Sequence, residues 1–95
     1  MLKPEITIGR APTNDVVLDD AQISRVHAVV RSEGPFFTVF DRGSRNGLCV
    51  NGIRVKSQVL AHGDEITVGG VAKLLFTCRF PFNLSLLLFH SVSAS

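Results

Sequence analysis

A chain of 95 residues holds one domain with a modest core, and a composition 45% apolar and 19% charged is globular rather than disordered. The formal net charge of +2 is too small to point to nucleic acid, so any anion-binding argument has to rest on local clustering. The two cysteines, Cys49 and Cys78, are too few for a disulfide scaffold.

Both cysteines lie in apolar, strand-like runs and are expected as buried free thiols, with a bridge between them left open. No charged segment followed by an apolar stretch opens the chain, so no signal peptide is read. The expected location is intracellular, nuclear or cytoplasmic.

Along the chain, apolar residues follow the two-residue period of strands, and no stretch carries a convincing 3.6-residue period. Short strands are expected at residues 5–8, 15–18 and 26–31. The last is bounded by the turn Ser32-Glu33-Gly34-Pro35. Residues 36–41 follow, with Phe37, Val39 and Asp41 on one face and Phe36, Thr38 and Phe40 on the other. The loop Arg42-Gly43-Ser44-Arg45-Asn46-Gly47 comes next. Strands at 48–50 and 53–55 flank Asn51-Gly52, the strongest short hairpin signal. Strands at 59–60, 65–68 and 71–80 complete the regular part, the last two separated by Gly69-Gly70. Short strands joined by Gly, Asn and Asp turns indicate an all-β sandwich or barrel. Residues 1–80 are read as the domain and 81–95 as an apolar, Ser-rich tail, either a last strand or a non-native segment. Its run 84–89 is far short of the roughly 20 residues a membrane span needs. It also lacks the apolar–polar alternation of a strand buried on one face, which favours a segment that adds nothing to the fold.

Three polar groups stand at the ends of strands. Gly9-Arg10 leaves one strand, Ser24-Arg25-Val26-His27 enters another, and Asn46-Gly47 closes the 42–46 loop. Binding residues are commonly carried on loops held by a rigid sheet. Arg10 offers a planar fork of donors suited to phosphate oxygens. Ser24 offers a hydroxyl, Asn46 an amide, and Arg25 and Arg45 add charge. The set can hold a dianion without reacting with it, so no catalytic residue, metal or cofactor is expected. Taken singly, each residue is ordinary: a surface arginine, a loop serine, a turn asparagine, a core histidine.

Their order is less ordinary. Ile-Gly-Arg, Ser-Arg-Val-His, Ser-Arg-Asn-Gly, Val-Asn-Gly and Gly-Asp-Glu-Ile-Thr-Val-Gly succeed one another over residues 6–80. This series resembles the forkhead-associated (FHA) family. The resemblance implies an antiparallel β-sandwich of two twisted sheets whose loops at one end bind phosphothreonine in partner proteins. By position, Arg10 and Ser24 look like the phosphate-contacting pair, with Arg25 and Arg45 able to add phosphate contacts. Asn46 looks like the residue that bonds the peptide backbone, and Gln22 lies near the peptide residue three after the phosphothreonine. Gly9, His27, Gly47 and Asn51 look like structural support; His27 is expected to brace the phosphate loop without touching ligand. Asn51 and Asp64 look like turn stabilisers. Arg-cluster recognition of phospho-motifs is an established binding mode that includes this family.

The chain departs from the family pattern at its start, where only Met1–Pro4 precede the Ile-Gly-Arg strand and the family's first strand is missing. Truncation is expected, with the tail filling the gap as the alternative. The leading function is a phosphothreonine-binding module with no nucleic-acid or membrane partner. Its oligomeric state is left open, because an unpaired edge invites a strand swap. The runner-up is an FHA-like interaction or scaffold domain that no longer binds phosphate. Single-strand nucleic-acid binding needs exposed aromatics on a basic groove, whereas Phe36, Phe37 and Phe40 are read as core. An enzyme using Ser24, His27 and Asp41 lacks an oxyanion signature and an activated base.

Overall fold

A computed structural model describes residues 5–79 and 83–91 of the chain. The parts of the expectations that fall on residues 1–4, 80–82 and 92–95 lie outside the described residues. The described chain contains ten strands: β1 (Glu5–Gly9), β2 (Val16–Val17), β3 (Ala28–Glu33), β4 (Phe36–Asp41), β5 (Leu48–Val50), β6 (Ile53–Arg54), β7 (Ser57–Leu60), β8 (Glu65–Val68), β9 (Ala72–Arg79) and β10 (Asn83–Ser91). They form two five-stranded sheets, ordered β2-β1-β3-β4-β7 and β10-β9-β8-β5-β6. Every pairing is antiparallel except β1 with β2, which is parallel through Ile8↔Val16 and Gly9↔Val17.

The two-residue period decides what the sheets enclose. In β3, Ala28 and Val30 face inward; in β4, Phe37 and Val39 do; in β8, Ile66 and Val68 do. Together with Ile8, Leu48, Leu74 and Phe76 they form one buried cluster. Phe37 and Phe76 meet across it with ring centroids 5.9 Å apart in a tilted arrangement, a favourable geometry for aromatic pairs. Phe36 and Phe40 stand on the other side of β4 and are not core residues, which corrects the reading of all three phenylalanines as buried. Phe36 is 59% exposed. The Arg31 guanidinium lies over the Phe40 ring, 5.1 Å from its centroid.

The turns follow their residue chemistry. Val50 pairs with Ile53 across Asn51-Gly52, and both turn residues have positive φ, 52° and 82°, as a type I′ hairpin requires. Glu33 pairs with Phe36 across Gly34-Pro35, with Gly34 at φ 62°. The hairpin turn is therefore two residues long, and β3 runs two residues further than the pattern of turn residues suggests. At its other end β3 starts at Ala28 rather than Val26, because Val26 is exposed and His27 turns inward.

The tail forms β10, pairing antiparallel with β9 from Asn83↔Arg79 to Ser91↔Ala72 with one irregularity between Leu88 and His90. Leu86 packs partly buried against the core. Of the two readings of this segment, a last strand or a non-native segment, residues 83–91 take the form of a strand: with a strand to pair with, an apolar run needs no alternation. Cys49 and Cys78 are free, and both are half-buried rather than buried. No helix among the described residues is long and apolar enough to cross a membrane.

Candidate functional site

At one end of the sandwich the chain that leaves β1 lies against the chain that enters β3. His27 N–H donates to the Ile8 carbonyl, Arg10 N–H to that of Ser24, and Ala11 N–H to that of Arg25. These backbone bonds place Arg10 and Ser24 side by side. Gly9 permits the approach, since a Cβ there would drive into the Arg25 carbonyl. Asn14 secures it: its Nδ2 donates to the carbonyls of Ala11 at 2.8 Å and Arg25 at 2.7 Å. Asn14 is buried and was not singled out from the sequence. Its signal, an asparagine just before a short strand, is indistinguishable from an ordinary turn residue.

The 42–47 loop joins this pair through His27, which is fully buried. Its Nδ1 accepts the Ser24 N–H at 3.0 Å, and its Nε2 lies 2.7 Å from the Gly47 carbonyl, which accepts its proton. The two bonds define the Nε2-protonated tautomer. They also occupy both ring nitrogens with backbone groups, so neither faces the Ser24 hydroxyl as a base would. The Gly47 carbonyl accepts the Gly69 N–H as well, at 3.0 Å. One carbonyl thus couples three loops. Arg42 N–H donates to the His27 carbonyl, and Arg45 N–H to Ser24 Oγ at 3.2 Å. Within the loop, Asp41 Oδ1 accepts Ser44 N–H, and Ser44 Oγ accepts Gly47 N–H.

The result is an open pocket of about 380 Å³ lined by Arg10, Ala21, Gln22, Ile23, Ser24, Arg25, Val26 and Arg45. Three arginines and one serine line a single recess. Arg10 is aimed by one bond, from Nε to the Ile23 carbonyl at 3.0 Å. Arg25 and Arg45 are exposed, and neither forms an ion pair with the described residues. Asn46 stands beside the pocket with its Nδ2 donating to the backbone carbonyl of Gln22 at 2.7 Å and to Gln22 Oε1 at 3.0 Å. Both amide protons are in use, and Oδ1 is the atom left to accept an incoming N–H.

The structure therefore brings Arg10, Gln22, Ser24, Arg25, Arg45 and Asn46 together, with Gly9, His27 and Gly47 beneath them. Asn51 is elsewhere, at the far end of β5. There its Nδ2 donates to Asp64 Oδ1, its Oδ1 accepts Glu65 N–H, and Asp64 Oδ2 accepts Ala61 N–H. It holds the β5–β6 turn to the chain entering β8 and makes no bond to the site loops, which corrects its grouping with the supports of the site.

Comparison with known proteins agrees with this architecture. The chain is 49% identical over 67 residues to the glycogen accumulation regulator GarA of Mycolicibacterium smegmatis, covering 70% of this chain and 42% of the relative. It is 45% identical over 67 residues to the oxoglutarate dehydrogenase inhibitor of Corynebacterium diphtheriae, covering 70% and 47%. The chain thus spans less than half the length of these curated relatives. Among solved structures, EmbR of Mycobacterium tuberculosis in complex with a low-affinity phosphopeptide superposes with a TM-score of 0.70 at 28% identity, over 100% of this chain and 22% of EmbR. The sequence model of the FHA domain matches residues 6–69, more than half of the chain, and the protein belongs to the FHA-domain family.

Proposed function

We propose that this domain binds phosphothreonine peptides, with Arg10, Ser24, Arg25 and Arg45 holding the phosphate and Asn46 and Gln22 meeting the peptide. The observation that carries the reading is the convergence of three arginines and Ser24 on one open recess with no acidic residue in its lining. A phosphate group brings between one and two negative charges at neutral pH and three acceptor oxygens, and arginine forks match its geometry. The phosphopeptide bound to the structural neighbour EmbR supports the same ligand class. The two curated relatives, a regulator and an enzyme inhibitor by name, support a regulatory role for the protein that carries this domain.

The test is fluorescence anisotropy with peptides in phosphorylated and unphosphorylated forms. Binding of the phosphorylated form alone is expected. Phosphothreonine should bind more tightly than phosphoserine, since one methyl in a fitted recess contributes about 1–3 kcal/mol. Equal affinity for phosphorylated and unphosphorylated peptides would point to the second reading, a docking domain indifferent to phosphate. That reading is favoured by the exposed Phe36 and Val59, which flank Thr38 on the outer face of the first sheet.

A further inference from the structure

Arg54 is part of no motif and does not line the pocket, yet the fold seats it on the site. It pairs with Cys49 across β5 and β6, so its side chain and that of Cys49 share a face of the second sheet. From there the guanidinium reaches Gly47. A Cβ built on Gly47 would lie 2.8 Å from Arg54 Cζ and 2.9 Å from Nε and Nη2. The guanidinium is therefore packed against the Cα of the residue that follows Asn46, in space that only glycine leaves open. Gly47 itself is immobilised: its N–H is held by Ser44 Oγ, and its carbonyl by His27 and Gly69.

The charge so placed is not neutralised. Arg54 forms no hydrogen bond or ion pair with any described residue. Two other strand cations do have partners, Lys73 with Glu65 at 3.4 Å and Arg31 with Glu5 at 2.7 Å, whereas Arg25, Arg42, Arg45 and Lys56 on the connecting segments have no ion pair with the described residues. A planar fork of donors resting on Gly47 without a carboxylate is open to one. It stands one residue from Asn46 along the loop that would carry the peptide backbone.

We propose that Arg54 is a specificity-determining residue that takes the carboxylate of an aspartate or glutamate side chain in the segment flanking the phosphothreonine. The inference rests on the phosphothreonine reading above. The probe is a phosphothreonine peptide with alanine at every flanking position, and a panel in which glutamate replaces each alanine in turn. Affinities are measured for the wild-type domain, Arg54→Ala and Arg54→Gln, with thermal melts as controls; Arg54 is exposed, so the melts should coincide. In the wild type, glutamate at one flanking position should tighten binding up to about 5-fold, the range of an exposed ion pair. Both variants should lose that gain while binding the all-alanine phosphopeptide as the wild type does. A gain that survives in both variants overturns the inference, and so does an equal loss of affinity for every peptide, which would make Arg54 part of the general field. Wild type that does not distinguish the all-alanine phosphopeptide from its unphosphorylated form overturns the phosphothreonine reading itself. Wild type that does distinguish them, with no glutamate position tightening binding, overturns the inference alone.

Discussion

Two ends of the same short strand, β5, use the same vocabulary for different purposes. At one end Asn46-Gly47 closes the 42–47 loop; at the other Asn51-Gly52 turns the chain into β6. Around Asn51 the polar groups satisfy one another: Asn51 bonds Asp64 and Glu65, and Asp64 bonds Ala61. Around Asn46 the loop is equally well tied, with Asn46 bonding Gln22 and Ser44 bonding Gly47, but the arginines gathered beside it are not paired. Arg25, Arg45 and Arg54 carry charge with no ion pair among the described residues. A turn whose polar side chains are consumed internally holds the fold. A turn that is tied internally but has unpaired arginines beside it is free to bind something else.

That contrast is sharpest at Arg10 and His27. Arg10→Ala should weaken phosphopeptide binding by about 2–5 kcal/mol, the range for truncating one partner of a buried charge pair. Its melting temperature should barely move, because the native state gives up only the bond to the Ile23 carbonyl. Isothermal titration and a thermal melt on the same sample check both halves; normal binding by a folded variant would show that the phosphate sits elsewhere. His27→Ala should act in the opposite order. It leaves a cavity, strands the Ser24 N–H and removes one of two donors from the Gly47 carbonyl. A loss of about 3 kcal/mol of stability is expected by urea denaturation, with binding failing in consequence as the loops part.

Asn51→Ala tests the other end. It removes two side-chain bonds and places alanine at φ 52°, which together should lower stability by about 1–2 kcal/mol. Phosphopeptide affinity of the folded variant should stay at the wild-type value. A fall in affinity without a fall in stability would merge the two ends that the structure keeps apart. The smallest expected effect comes from the solvent. Added salt should weaken binding, since screening shortens the reach of exposed charges such as Arg25 and Arg45. Lowering the pH through about 6 should weaken it further, because the phosphate then loses its second charge. A salt-independent affinity would mean that the exposed arginines contribute little.

Much of this molecule is determined by its sequence alone, because the causes are local. The two-residue period of β3 and β4 selects which side chains face the core. Asn51-Gly52 is a residue pair that accepts the positive φ values its hairpin needs. The order of the Gly-Arg, Ser-Arg-Val-His and Ser-Arg-Asn-Gly segments was enough to bring out the family and the residues now found around one recess. What only the tertiary structure decided depends on contacts between segments distant in sequence. The burial of Asn14 beneath the Arg25 carbonyl is one such outcome, and the use of both Asn46 amide protons by Gln22 is another. The docking of β10 along β9 belongs here too, since an apolar run without alternation becomes a strand only when it finds one to pair with. So does the exposure of Phe36, because a strand pattern defines two faces without saying whether a second layer covers both. Arg54 is the clearest case. Nothing near it in sequence marks it, and it reaches the site only because the β5–β6 register carries its guanidinium back to a glycine that has no Cβ to keep it away.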